Sequence, residues 1–245
     1  MTYCVGIKIS DGLVFLSDTR TNAGVDNIAR FRKMFTWSIR GKRAIAIMAS
    51  GNLSITQGVI TRLNQDIQRS QTDDVECILN ADTMFRVAQL VGKKMKGIQQ
   101  SHSEDLEAHG EASSATLIVG GQRLGGRHRL FQIYSAGNFI EATPDTPYFQ
   151  IGEHKYGKPI LDRVLTINTP LKDAIKAAMV SMDSTLRSNL SVGMPLDIAA
   201  VRGDTLAFTH HRRIDVDDSN FLNITNSWSL ALRDAFQTLP ELKGN

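Results

Sequence analysis

A threonine stands at position 2, directly after the initiator methionine. Methionine aminopeptidase generally removes Met1 when a small residue follows. That would leave a free α-amine and a hydroxyl on one residue. The amine has an ordinary pKa of about 7.7–8.0, so much of it is neutral near physiological pH. It can take the proton from its own hydroxyl through a water, which makes such a threonine an activated nucleophile. On its own, Thr2 reads equally as the start of an ordinary strand, and its surroundings decide. Residues 2–9 alternate, Asp11-Gly12 is a turn pair, and 13–17 form a second strand that ends in Asp18-Thr19-Arg20. Two strands so joined pair as a hairpin, which brings Asp18 back towards the chain start.

Other chemistries are less well supplied. Cys4 shares the strand face of Thr2 but reads as a small buried hydrophobe. The stretch 99–111 carries His102, Glu104, Asp105, Glu107, His109 and Glu111. It has no compact ligand spacing and reads as a solvated insertion rather than a metal site. The glycines at 120–121 and 125–126 lie between two strands and open no helix. They are therefore turn residues, not a phosphate loop. No cofactor is implied.

The elements that must position Thr2 and Asp18 follow from periodicity. Further strands are expected at 35–39, 43–49, 115–119, 129–135 and 148–151, with a loop at 21–27. Asn52 or Ser54 caps a helix running to about residue 69, with Ile55, Val59, Leu63 and Ile67 on one stripe. Further helices are expected at 83–98, 156–165 and 171–189, then a hairpin of 197–202 and 205–210. Strands, two helices, strands, two helices and strands make an α+β chain of stacked sheets and helical layers. After this unit, 1–214, comes an extension, 215–245, with an acidic loop at 215–220. Its amphipathic helix is capped at Asn226 or Ser227 and carries Trp228, Leu230, Leu232 and Phe236.

Composition sets broad limits. The chain has 245 residues, 42% hydrophobic and 22% charged, enough for one large domain. A net charge of +3 argues against nucleic acid as a partner; Arg212-Arg213 and Arg30, Arg32 and Lys33 read as solvated surface. Two cysteines make no disulfide framework. The start resembles no signal peptide, and no apolar run is long enough for a membrane span. The expectation is a cytoplasmic protein.

The run from Thr2 through Val5-Gly6-Ile7-Lys8, Asp11-Gly12-Leu13-Val14 and Ser17-Asp18-Thr19-Arg20 resembles the start of a proteasome-type β subunit. So do Phe31-Arg32-Lys33-Met34 and Ala46-Ile47-Met48-Ala49-Ser50-Gly51. The segments 21–27, 31–34 and 188–195 resemble the bacterial Anbu, or ancestral β subunit, branch of that family. The resemblance implies the four-layer αββα sandwich of N-terminal nucleophile hydrolases. It also implies Thr2 as nucleophile, supported by Asp18 and Lys33, with Arg20 matching the arginine of the Asp-x-Arg motif. Backbone N–H groups at Ser50 and Gly51 would form an oxyanion hole, typically worth roughly 3–4 kcal/mol per donor. Met48 matches the specificity-pocket position. Asp183 matches a supporting aspartate. The serine three residues later is replaced by Leu186, with Ser184 and Ser188 nearby. Where the family places a small serine beside the nucleophile, this chain holds Glu153 and then His154. A carboxylate there would raise the pKa of the amine.

Three functions follow: a threonine peptidase, an amidase acting on a small amide or isopeptide, and an assembly protein that keeps the fold without catalysis. The family also implies self-association in many copies, as a closed ring or an open helical array. The sequence names no substrate and no ATPase partner.

Overall fold

The computed structural model describes residues 2–22, 28–109 and 113–242. The chain begins with β1 (Tyr3–Ile9), β2 (Gly12–Asp18), β3 (Arg20–Asn22), β4 (Ile28–Arg30), β5 (Met34–Ile39) and β6 (Arg43–Gly51). Two helices follow, α1 (Leu53–Arg69) and α2 (Met84–Ala108), then β7 (Ala115–Arg123), β8 (Arg129–Ile133), β9 (Phe139–Glu141) and β10 (Tyr148–Gly152). The rest is α3 (Lys158–Val164), α4 (Leu171–Ser188), β11 (Leu196–Arg202), β12 (Phe208–Ile214) and α5 (Ser219–Gln237).

Two five-stranded antiparallel sheets stack face to face, in the orders β10-β1-β2-β11-β12 and β5-β6-β7-β8-β9. The alternation of β1 explains the layering. Tyr3, Val5, Ile7 and Ile9 join a core with α3, α4 and the start of α5. Cys4 instead joins Leu13, Phe15, Met48, Ile118 and Leu130 between the sheets. The outer face of the second sheet packs on α1 and α2. The result is the αββα sandwich of the N-terminal nucleophile hydrolases. Among the described residues, no helix is long and apolar enough to cross a membrane.

The structure departs from the sequence reading where packing overrides local signals. Gly120 and Gly121 belong to β7, not to a turn. A Cβ at Gly120 would lie 2.7 Å from the Phe15 ring, so glycine here permits close approach of the sheets. The α2 helix runs ten residues beyond 98, into the stretch read as an insertion, which holds no proline to stop it; Glu111 lies outside the described residues. The 21–27 loop is flanked by the short ladder β3-β4, and residues 23–27 lie outside the description. β12 starts later than expected, because Asp204 and Leu206 take left-handed φ values of 63° and 52° in a wider turn. Asp218, not Asn226 or Ser227, caps the last helix, accepting the Phe221 N–H at 2.9 Å. Phe221 is buried against the α4 layer, so α5 folds back on its own sandwich before its apolar residues reach the surface.

Ser17 sits fully buried in β2, between Cys4 on β1 and Asp197 on β11. Among the described residues its Oγ has no hydrogen-bond partner. A buried orphan of this kind costs about 1–3 kcal/mol. One kcal/mol shifts Tm by about 2–4 °C in a protein of this size. Ser17→Ala is therefore expected to melt at the wild-type temperature or a few degrees above it. A clear fall in Tm by calorimetry would show that the hydroxyl has a partner.

Candidate active site

Thr2 lies at the mouth of the sandwich, 9% exposed, where β1 begins beside the end of β2. Its carbonyl accepts the Glu153 N–H at 2.6 Å, which ties it to the end of β10. Gly152 makes that approach possible: its φ is +81°, and a Cβ there would lie 2.1 Å from the Thr2 carbonyl oxygen. Only glycine adopts this conformation without strain and leaves the space.

Asp18, at the end of β2, has no exposed surface and collects three donors. Its Oδ1 accepts Lys33 Nζ at 2.8 Å and the Tyr3 N–H at 3.0 Å; its Oδ2 accepts the Gly193 N–H at 3.3 Å. Lys33 is 5% exposed, and its Nζ also donates to the Arg20 carbonyl at 2.5 Å. The Lys33 carbonyl accepts the Ala49 N–H at 2.9 Å. The lysine therefore bridges the two sheets. The pair is a buried one, for which loss of one partner typically costs about 3–5 kcal/mol. Burial pushes the Asp18 carboxyl above its ordinary value, against the downward pull of Lys33 and the two backbone donors.

The segment before β11 clasps all three residues of Asp18-Thr19-Arg20. Gly193 holds Asp18, the Thr19 hydroxyl donates to the Pro195 carbonyl at 2.7 Å, and Arg20 Nη1 donates to the Leu190 carbonyl at 2.9 Å. Behind the site, the Tyr3 hydroxyl meets Ser181 Oγ at 2.6 Å and accepts from Gln150 Nε2 at 2.8 Å. Asn52 caps α1, accepting the N–H groups of Ser54 and Ile55 at 2.9 and 3.2 Å. This fixes the turn that ends β6 at Ser50 and Gly51.

A cavity of about 330 Å³ opens over these groups, with Thr2, Lys33, Ala49, Ser50, Gly51 and Thr56 among its walls. The structure thus gathers Thr2, Lys33, Ser50 and Gly51 at one cavity, with Asp18 and Arg20 behind it. Met48 is elsewhere: it is fully buried in the core between the sheets, and Ala49 faces the cavity. Cys4 is also buried between the sheets, and burial pushes its thiol far up, with Asp18 adding to the shift. Asp183 is engaged by Arg187 one turn along α4, at 2.9 Å. Ser188 is exposed at the end of α4, and Ser184 donates to the Val180 carbonyl of its own helix.

Glu153 is buried and fully engaged. Its Oε1 accepts the N–H groups of His154 and Lys155, both at 2.9 Å, and its Oε2 accepts Asn189 Nδ2 at 2.8 Å. Burial raises its carboxyl, but these hydrogen bonds and the Lys155 charge outweigh burial and hold it below its ordinary value. The sequence reading did not single out Asn189 and Gly193. Both lie in the 188–195 segment, which stood out only as a resemblance.

The family model described as proteasome subunit matches residues 2–201. The chain is 46% identical to the Gly-1 mutant of Anbu from Hyphomicrobium sp. strain MC1, over all of both chains, with a TM-score of 0.91. It is 43% identical to Anbu (ancestral beta-subunit) from Yersinia bercovieri, over 99% of each chain, with a TM-score of 0.92. It is 45% identical to the Anbu complex of Pseudomonas aeruginosa, solved as a helical assembly, over 99% of this chain and 98% of that one, with a TM-score of 0.90. No curated protein gives a match.

Because its folded-state pKa is lowered, Glu153 contributes stability above its unfolded pKa of about 4.3. That contribution is lost as pH falls through the lower folded value. Glu153→Gln is expected to melt below wild type at pH 7, with the gap closing on titration below about pH 4. A gap that stays constant from pH 7 to 3 would mean that the carboxylate's charge contributes nothing.

Proposed function

Because the chain belongs to the proteasome subunit family and to its Anbu branch, we propose that it is a threonine-type hydrolase of peptide bonds. Thr2, freed by removal of Met1, is the nucleophile; Met1 itself lies outside the described residues. The observation that carries this reading is the buried Asp18–Lys33 pair, set beside Thr2 at the foot of an open cavity. Thr2 Oγ attacks the substrate carbonyl, and the α-amine takes its proton and passes it to the leaving amine. The N–H groups of Ser50 and Gly51 stabilise the oxyanion. The Lys33 charge lowers the pKa of the amine and of the hydroxyl, and Asp18 holds the Lys33 ammonium in place. Glu153 is a poor candidate to perturb the amine, because its charge is already met by three N–H donors.

A cavity of about 330 Å³ is at the small end for ligand sites. That favours a short substrate and supports a second reading, an amidase of a small amide or isopeptide. Cys4 and Cys77 are free and buried, which suits the reducing cytoplasm proposed as its location.

Intact mass after treatment with a threonine-directed electrophile tests the chemistry. Wild type from its native cells is expected to lack Met1 and to gain one adduct, and Thr2→Ala none. Lys33→Ala is expected to label at least about tenfold more slowly, a barrier increase of about 1.4 kcal/mol. This variant leaves Asp18 buried without its partner, so Asp18→Asn/Lys33→Met serves as the charge-free companion. Labelling at the wild-type rate in both variants would remove Lys33 from the mechanism. Chains that all retain Met1 would remove Thr2.

Self-association in many copies belongs to the same proposal. Leu232 and Phe236 on the outer half of α5 are 49% and 75% exposed. An apolar stripe of this kind is unusual on a monomer surface. The Pseudomonas aeruginosa relative forms a helical assembly, which supports a second copy as the occupant. A head-to-tail contact whose rotation does not close gives such an array. Leu232→Asp/Phe236→Asp is expected to lower the mass measured by light scattering while circular dichroism stays native. An unchanged mass would mean that α5 is not an assembly element.

A further inference from the structure

The largest cavity among those described lies away from Thr2, at the other end of the seam between the sheets. It holds about 660 Å³ and is lined by Ile9 and Ser10, just past the end of β1. The seven residues of β1 separate it from Thr2 by roughly 23 Å, at about 3.3 Å per residue. Its volume falls well within the range of small-molecule sites, about 300–1,000 Å³.

Its walls carry four cations, Lys8, Arg123, Arg127 and Arg129, against two carboxylates, Glu141 and Asp204. Glu141 is shared: Arg129 Nε donates to it at 2.8 Å, and Lys8 Nζ lies 3.8 Å away. Asp204 is taken by a neutral partner, accepting Gln122 Nε2 at 2.8 Å. Arg123 meets only the carbonyl of Leu124, at 2.9 Å, and Arg127 makes no hydrogen bond or ion pair among the described residues. Two guanidiniums therefore face the cavity without a counter-charge. His128, next to Arg127, also lines the cavity, with its Nε2 2.8 Å from the Ile9 carbonyl.

Clustered like charges repel, and a concave wall between low-dielectric sheets focuses their field. Guanidinium forks match the paired oxygens of phosphate and carboxylate. We propose that this cavity is a second binding site, separate from the threonine site, for a small polyanion bearing phosphate or carboxylate groups. Arg123 and Arg127 are its principal contacts, and Lys8 and Arg129 add to the field.

Calorimetric titration of the full, assembled chain with pyrophosphate and with citrate, at fixed ionic strength, tests this. At least one of the two probes is expected to bind with a Kd below about 1 mM. Arg123→Gln/Arg127→Gln is expected to weaken that binding at least about tenfold. Arg62→Gln/Arg69→Gln on α1 removes the same charge elsewhere and is expected to bind as wild type. If the double variant folds poorly by circular dichroism, Arg127→Gln alone carries the test, because its side chain is exposed. No binding of either anion overturns the proposal. So does wild-type affinity in the cavity variant, or an equal loss in the α1 control, which would reduce the effect to net charge.

Discussion

The ion pair between Asp18 and Lys33 is the constraint on which the active end of this molecule is built. Two charges held out of water repay their desolvation only when the geometry is good and the remaining hydrogen-bonding capacity is used. Here it is used: the carboxylate also takes N–H groups from Tyr3 and Gly193, and the ammonium also takes the Arg20 carbonyl. Each partner belongs to a different piece of backbone. To satisfy one carboxylate, the chain must align the first strand, the second strand, the segment before β5 and the segment before β11. The strand alignment and the position of Thr2 follow from the same requirement.

The sandwich gives that pair its setting. Strands buried on both faces leave little freedom in register, because a slip of one residue exchanges the helix-facing set with the sheet-facing set. Lys33 is carried at the threshold of β5 and linked to β6 through the Ala49 N–H. A cation from one sheet is thereby presented to a carboxylate of the other, at the edge of a cavity that reaches solvent. The same seam opens at its far end into the basic cavity, so the length of β1 separates two polar sites.

Much of this was legible in the sequence, for physical reasons that can be named. The alternation of residues 2–9 and 13–17 and the Asp11-Gly12 turn specify the first hairpin, and with it the return of Asp18 to Thr2. Lys33 carries no such local signal and stood out only through resemblance. Asn189 and Gly193 were not foreseen, because each acts across a large sequence separation, and Gly193 acts through a backbone N–H that every non-proline residue has. Met48 and Ala49 show how fine the limit is: neighbours on a strand point to opposite faces, so one step decides which faces the cavity and which the core. Gly120 and Gly121 read as a turn because composition alone does not reveal that Phe15 comes to rest against Gly120 and the Ala44 backbone against Gly121.

The clasp of residues 190–195 around Asp18-Thr19-Arg20 also sets an order of events in time. Asp18 lies 175 positions before Gly193. At a synthesis rate of about 5–20 residues per second, roughly nine to thirty-five seconds pass on the ribosome between the two. Through that interval the first hairpin can form, but the carboxylate lacks its third donor, and Arg20 and Thr19 lack the carbonyls that hold them. Thr2 therefore acquires its finished surroundings only after most of the chain has been made. A nascent chain carries the threonine long before it carries the site.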